Sequence, residues 1–292
     1  MATITSINEF TGKLGNMVGF KKKDGTYGIR AYQRKPHNPR TTPQMTVRVS
    51  IANLVAFWRA LLNAAHPNFT NKEQQESDYN AFVQANYGIN PVFLKKSDVR
   101  AGACLASAYQ ISRGSLPTIG ITAVSGGKMK SDIALDDLSI GAETKVSDLA
   151  KAIVQSNGNR FQEFDMLTIF YAQQLTEGDQ NIPRVSVKAL RIPLDFTDNT
   201  LVSDLENGDI IGVTDGFLSS KSTVNGGFTI VHTRLVDGQT EVSSQTISVN
   251  NNLLALYTGT SAMQAAILSY GGARDPFLRP FTNASVDLPV EP

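Results

Sequence analysis

Gln33-Arg34-Lys35-Pro36-His37-Asn38-Pro39-Arg40-Thr41-Thr42-Pro43-Gln44 runs directly into a long apolar stripe. Each proline fixes its own φ and pushes the residue before it away from the helical region, so the lead-in reads as extended chain. Thr42 stands where an N-cap belongs, and Pro43 where the first helical residue belongs. Val47, Ile51, Leu54, Val55, Trp58, Leu61 and Leu62 then recur at three- and four-residue steps. That spacing predicts an amphipathic helix of about six turns, ending near His66-Pro67. Thr70-Asn71-Lys72-Glu73 has the form of a capping box and predicts a second helix from Thr70 to Tyr87, stopped by Gly88. Tyr79, Phe82 and Val83 fall on its inner face. Residues 43–102 therefore read as a helical hairpin region.

Upstream, Ser6 to Glu9 fits a small capping box. Residues 18–22 and 27–32 read as strands joined around Asp24-Gly25, a strong hairpin signal. This hairpin carries Lys21, Lys22, Lys23 and Arg30 beside Phe20, Tyr27 and Tyr32. Residues 1–42 thus form a basic arm and hairpin. The 292-residue chain has a net charge of +1, unevenly placed. Residues 1–50 hold nine Lys and Arg against Glu9 and Asp24, a net +7, and the remainder carries −6. A basic first sixth on an acidic body predicts an arm that meets something negative, either nucleic acid or the acidic body of a neighbouring copy.

After Gly102 the pattern turns to strands, at residues 105–112, 118–124 and 128–135, with Gly126-Gly127 as a turn. Ser147 is placed to cap a short helix with Leu149, Ala152 and Ile153 inward. Strands follow at 166–175, 184–192 and 212–220, and 227–236 and 240–249 flank a second hairpin signal, Asp237-Gly238. Residues 261–269 read as a last helix, ended by Gly271-Gly272. Residues 103–272 are therefore a β-rich, sandwich-like body with short helices, and the whole chain is α+β. Residues 273–292 form an extended C-terminal arm. In it Pro276-Phe277-Leu278-Arg279-Pro280-Phe281 alternates rigid prolines with large apolar side chains suited to a groove.

The usual catalytic signatures are missing from the sequence. His37, His66 and His232 are far apart, and no spacing of His and Cys fits a zinc site. Thr11-Gly12-Lys13-Leu14 fails as a phosphate loop, because Leu14 replaces the Ser or Thr that binds magnesium. The glycines at 12, 15 and 19 do not make a dinucleotide fingerprint. The single cysteine, Cys104, lies in an apolar setting without a base, and rules out an intrachain disulfide framework. The acidic run 204–209 misses the spacing of a calcium loop. No cofactor and no metal are expected, and the chain does not read as an enzyme. Residues 1–9 have neither a basic nor an apolar signal region, and no run approaches 18 apolar residues, so neither a secretory signal nor a membrane span is expected.

Gly12-Lys13-Leu14-Gly15-Asn16-Met17-Val18-Gly19, the basic hairpin, then Asn38-Pro39-Arg40-Thr41 with Gln44 and Arg48, resembles the opening of an uncharacterised protein family of Bacteroidota and their tailed phages. Similar proteins also carry the Ser-Arg-Gly-Ser-Leu-Pro segment found here at 112–117, and a late hairpin like Val231 to Arg234 with Asp237-Gly238. The likeness is dense over residues 10–116. It implies a phage structural context and no chemistry. The chain is therefore expected to be a structural component of a bacteriophage virion: a capsid-associated, connector or tail protein, made in the host cytoplasm. Its partners would be copies of itself, other virion proteins and, through the basic arm, packaged nucleic acid. Lys21, Lys22, Lys23, Arg30, Arg34, Lys35 and Arg40 are the expected nucleic-acid or subunit contacts, and Phe277, Leu278 and Phe281 the anchors of a subunit-contact arm. The alternative is a nucleic-acid-binding protein that uses the same hairpin, with Tyr27 and Tyr32 for stacking.

Overall fold

The computed structural model describes residues 3–4, 10–22, 24–34, 40–73, 76–178 and 181–271, and the fold is α+β. The chain divides after Arg40 into two units. In the first, β1 (Thr3–Ile4), β2 (Phe10–Leu14), β3 (Met17–Lys21) and β4 (Tyr27–Ala31) pair in that order as an antiparallel meander. Asp24 closes the β3–β4 turn: its carboxylate accepts the Thr26 N–H at 2.9 Å and the Thr26 hydroxyl at 2.6 Å. Gly25 beside it has φ 84°, a conformation a side chain would strain.

The second unit opens with α1 (Thr42–Ala64), one residue earlier than the sequence suggests. Thr41 rather than Thr42 is the N-cap, and Pro43 falls one position further in. The shift costs no hydrogen bond, because the first four N–H groups of a helix are unpaired anyway. The buried face is also turned: Met45, Val49, Asn53, Leu54, Phe57, Trp58 and Leu61 point inward, whereas Val47 and Leu62 are exposed. The face turns because its centre is a polar residue, Asn53, that an apolar count leaves out.

Next come β5 (Asn68–Phe69), α2 (Asp78–Asn86), α3 (Lys96–Arg100) and β6 (Gln110–Arg113). The second helix does not start at Thr70. The Thr70 N–H is taken by the Arg113 carbonyl at 2.9 Å, which extends the parallel pairing of β5 with β6. Asp78 then accepts from Phe69 N and from Lys72 Nζ, and Ser77 caps the helix by accepting the Asn80 N–H at 3.2 Å. The stretch expected as strand 105–112 becomes a strand only at Gln110. Before that, residues 103–106 are buried and belong to no strand. Asn53 gives Nδ2 to the Leu105 carbonyl and takes the Leu105 N–H, at 3.0 and 2.8 Å. Gln174 takes the Ala106 N–H at 2.9 Å, Asn251 gives to the Ala106 carbonyl at 3.1 Å, and Asn90 to that of Ala108 at 2.8 Å. Amide side chains here, together with the Pro183 carbonyl that takes the Cys104 N–H at 2.8 Å, stand in for a strand ladder.

The remaining elements are β7 (Ile121–Ala123), β8 (Met129–Ala134), α4 (Val146–Ser156), β9 (Met166–Glu177), β10 (Ile182–Pro193), β11 (Ile211–Thr214), β12 (Phe217–Ser220), β13 (Gly226–Val236), β14 (Gln239–Val242), β15 (Gln245–Thr246), β16 (Ser248–Asn250), α5 (Leu254–Tyr257) and α6 (Gly259–Ser269). The central sheet has the order β10-β9-β13-β14, with β16 also on β13. Its alternating side chains feed two cores. Leu167, Ile169, Leu190 and Ile230 pack with Leu149 and Ile153 of α4 and with Ile133 and Leu218 of the sheet β11-β12-β8-β7. Phe170, Ala172 and Val231 pack with Phe57, Trp58 and Phe82 of α1 and α2. An 18-residue window of α1 reaches a mean hydropathy of 1.3, enough by length and composition to cross a membrane. Its Leu54, Phe57, Trp58 and Leu61 lie in this second core, and Met45 and Val49 in a separate cluster with Phe93, Ala266 and Ile267.

Three further expectations are corrected. Residues 212–220 are not one strand: Asp215 and Gly216, at φ 53° and 77°, turn β11 back onto β12. Ser147 does not cap α4; Lys145 holds that position, and Ser147 is buried, its N–H bonded to the Asp198 carbonyl at 2.9 Å. The strand expected at 240–249 splits in three, because β14 leaves β13, β15 pairs with β6, and β16 returns to pair with Gly226, Gly227 and Phe228. Replacing Asn53 with Ala strands the Leu105 peptide groups and the Tyr109 hydroxyl, which Asn53 also meets at 2.9 Å. Asn53→Ala is expected to lower the unfolding free energy by about 3 kcal/mol, read as a lower urea midpoint at an unchanged m-value.

Candidate functional site

The strongest candidate surface is the N-terminal sheet, whose register sorts its side chains onto two faces. Lys13 lies opposite Val18, Val18 opposite Arg30, and Phe20 opposite Gly28. One face therefore carries Lys13, Phe20 and Arg30. Lys13 Nζ sits 4.0 Å from the centre of the Tyr32 ring, and the Arg30 guanidinium 5.9 Å from that of Phe20. A Cβ on Gly28 would stand 2.7 Å from Phe20 Cζ, so glycine there lets the ring lie across the neighbouring strand. The other face carries Leu14, Met17, Tyr27 and Ile29, with Lys21 at its edge, 5.6 Å over the Tyr27 ring.

Few of these side chains are buried. Phe10 is 7% exposed, but Leu14, Met17 and Phe20 lie between 41% and 47%, and Ile29 reaches 62%. Among the basic residues singled out from sequence, Lys21, Lys22, Arg30 and Arg34 are exposed and Arg40 is half-buried at φ 52°. The sheet does not collect them on one surface, since Lys21 and Arg30 face opposite ways. Lys23 and Lys35 lie outside the described residues, as do Phe277, Leu278 and Phe281. Sequence reasoning passed over Lys13, Leu14, Met17 and Ile29. The alternation of β3 and β4 around Asp24-Gly25 would have placed Met17 and Ile29.

The body brings together a second group that is far apart in sequence. His232 Nε2 donates to Asp165 Oδ2 at 2.7 Å, and Arg234 forks onto both Asp165 oxygens at 2.8 and 2.7 Å. The Arg234 fork also reaches the Arg160 carbonyl at 3.1 Å, and Arg160 pairs with Asp132 at 3.0 Å. His232 is thus not alone, as its place in the sequence suggests. Ser243 Oγ lies close too, but it accepts the main-chain N–H of His232 at 2.9 Å and not a ring proton. The His232 and Asp165 side chains are 1% and 3% exposed, which closes them to a substrate. The group acts as a clasp on the end of the central sheet, where Thr233 of β13 pairs with Met166 of β9. Just before the clasp, Phe164 is held at φ 71° with its ring 76% exposed. A non-glycine residue in that region costs on the order of 1 kcal/mol.

Among the described residues no group of His, Cys, Asp and Glu is arranged to hold a metal ion. Burial pushes the Cys104 thiol up to about 12, which leaves it protonated and unreactive. No family model, no curated protein and no solved structure matches this chain.

Burial alone pushes the Asp165 carboxyl up, but hydrogen bonds from Arg234, His232 and the Gln162 N–H outweigh it and hold it at about 2. The folded value lies below the ordinary 3.8. The clasp's contribution is therefore complete above pH 3.8 and lost as pH falls toward 2, about 2 kcal/mol in all. The urea midpoint of the native protein should approach that of Asp165→Asn as pH drops through this window. A gap that stays constant with pH would remove the carboxylate from the account.

Proposed function

We propose that this chain is a structural component of a bacteriophage virion, acting by self-assembly and subunit contacts. The layer is that of a capsid-associated, connector or tail protein, made in the host cytoplasm and resident in the particle. The opening motif and its resemblance to the phage-borne family support this reading. The observation that carries it is the N-terminal sheet, which leaves Leu14, Met17, Phe20 and Ile29 exposed over a single buried ring, Phe10. So small a sheet gains little from its own core, and apolar side chains on both faces are worth about 1.5–3 kcal/mol each once a partner covers them. Phe164 on the body, strained and displayed, supports contact there as well. The finer architecture belongs to the same reading: a basic arm and hairpin, a helical hairpin region, a sandwich-like body and an extended C-terminal arm. The chain works by contact and not as an enzyme.

The purified protein is expected to form a species well above the 31.6 kDa of one chain, visible by negative-stain imaging and light scattering. Leu14→Ser, Met17→Ser and Ile29→Thr together should reduce it to a monomer with an unchanged melting temperature of the body. Deleting residues 273–292 should also leave a folded chain that no longer assembles, if Phe277, Leu278 and Phe281 anchor a neighbour. A triple variant that assembles like the native protein removes the sheet from the contact.

A second reading is favoured by the face that carries Lys13, Phe20, Arg30 and Tyr32: the sheet binds single-stranded nucleic acid by backbone neutralisation and stacking. Each lysine or arginine that meets a phosphate adds about 0.7 to the salt slope. Lys13→Glu with Arg30→Glu should then flatten log K against log salt by roughly 1.4, measured by fluorescence anisotropy on an oligonucleotide. A slope unaffected by the pair excludes this face.

A further inference from the structure

The face of the central sheet turned toward α1 and α2 holds a set of polar side chains with no hydrogen-bond partner among the described residues. Arg191 on β10 lies directly opposite Thr168 on β9, and Thr168 opposite Val231 on β13, with Thr233 two residues further along. Their Cβ atoms share one face, about 5 Å apart across each directly opposed pair. The turn after α1 brings His66 and Asn68 to the same place. Together these residues line one recess of about 90 Å³, floored by Phe170 and Val231. Asn53, Asn90 and Asn251 of the body commit their side-chain amides to backbone carbonyls. Here the side chains of Arg191, Thr168, Thr233 and Asn68 make no hydrogen bond or ion pair to a described residue. His66 commits Nδ1 to the Pro67 carbonyl at 2.7 Å, which leaves Nε2 without a described partner. Glu206 shares an adjoining recess with Arg191 and makes no ion pair with it.

We propose that this recess binds a compact oxyanion, a phosphate or a carboxylate, with Arg191 as its charge partner. The donor set decides the sign: a guanidinium with five N–H groups, two hydroxyls and an amide outnumber the acceptors, and no described carboxylate is paired with them. A recess of about 90 Å³ has room for a phosphate or carboxylate group. The planar fork of Arg191 matches two oxygens of either ion, and the hydroxyls of Thr168 and Thr233 are placed along the same face for a third. The site lies in the body and is independent of the contact surface proposed for the N-terminal sheet.

Isothermal titration of the full chain with inorganic phosphate, and separately with acetate, tests this at ionic strength matched with sodium chloride. The expected result is saturable binding of one ion per chain. Arg191→Gln should weaken it at least tenfold, while Lys188→Gln, on the opposite face of the same strand, should leave it unchanged. Phosphate binding without acetate binding assigns a tetrahedral ion, and the reverse assigns a carboxylate; either supports the site. Binding of neither ion overturns it, and so does binding that Arg191→Gln leaves intact. Should Arg191→Gln fail to fold, Thr168→Val takes its place, with at least a threefold loss expected and an unchanged affinity overturning the site.

Discussion

A peptide group buried outside any strand ladder must still find a partner, and residues 103–108, where β10 offers one main-chain acceptor, the Pro183 carbonyl, to the Cys104 N–H, impose that demand on the body. An unpaired amide there would cost about 1–3 kcal/mol, a large share of the stability of any domain. The chain meets the demand with side chains drawn from four places: Asn53 from α1, Asn90 from the loop after α2, Gln174 from β9 and Asn251 from the turn after β16. Gln174 alone gives Nε2 to the Cys104 and Arg184 carbonyls and takes the Ala106 N–H, so it ties the segment to the sheet edge. Helix, sheet and C-terminal turn are thereby fixed to one strip. Asn53 shares the inward face of α1 with Leu54, Phe57, Trp58 and Leu61, so its bonds and their packing turn the helix the same way.

The central sheet then divides the apolar work. Leu167 and Ile169 look toward α4 and the smaller sheet, while Phe170 and Ala172 look toward α1 and α2. A sheet covered on both faces needs its ends held in register, because a slip of one residue would exchange the two cores. The Asp165 clasp supplies that hold where β9 and β13 begin to part. Its buried charge is tolerated because four hydrogen bonds converge on the two carboxylate oxygens.

Periodicity and turn chemistry made much of this legible. The long helix, the Asp24-Gly25 and Asp237-Gly238 turns and the strands around 166–192 follow from local residues alone. Where the reading failed, a distant partner decided the outcome. Thr70-Asn71-Lys72-Glu73 has the local form of a cap, but Arg113, more than forty residues away, claims Thr70 for a parallel bridge. Asn53 breaks the apolar stripe in sequence and centres it in space. His232 stands alone in the chain, yet Asp165 reaches it from 67 positions away. Asp215-Gly216 is the exception, a local signal inside a run of strand-like residues that could have been read as a turn. Of the candidate contact surface, sequence supplied the charges of the hairpin but not their division between two faces, which depends on register.

The amide-stitched segment also sets an order of events. Its bonds from Asn53, Gln174 and Asn251 join residues 52, 68 and 145 positions apart, so none of these three can form until long loops have closed. Contacts of such separation slow a chain's search, because loop entropy is lost before any bond rewards it. The hairpins at Asp215-Gly216 and Asp237-Gly238 close first, on the microsecond scale typical of short turns. The strip at 103–108 is therefore expected to lock last, and its amides to exchange with solvent only when the whole body opens.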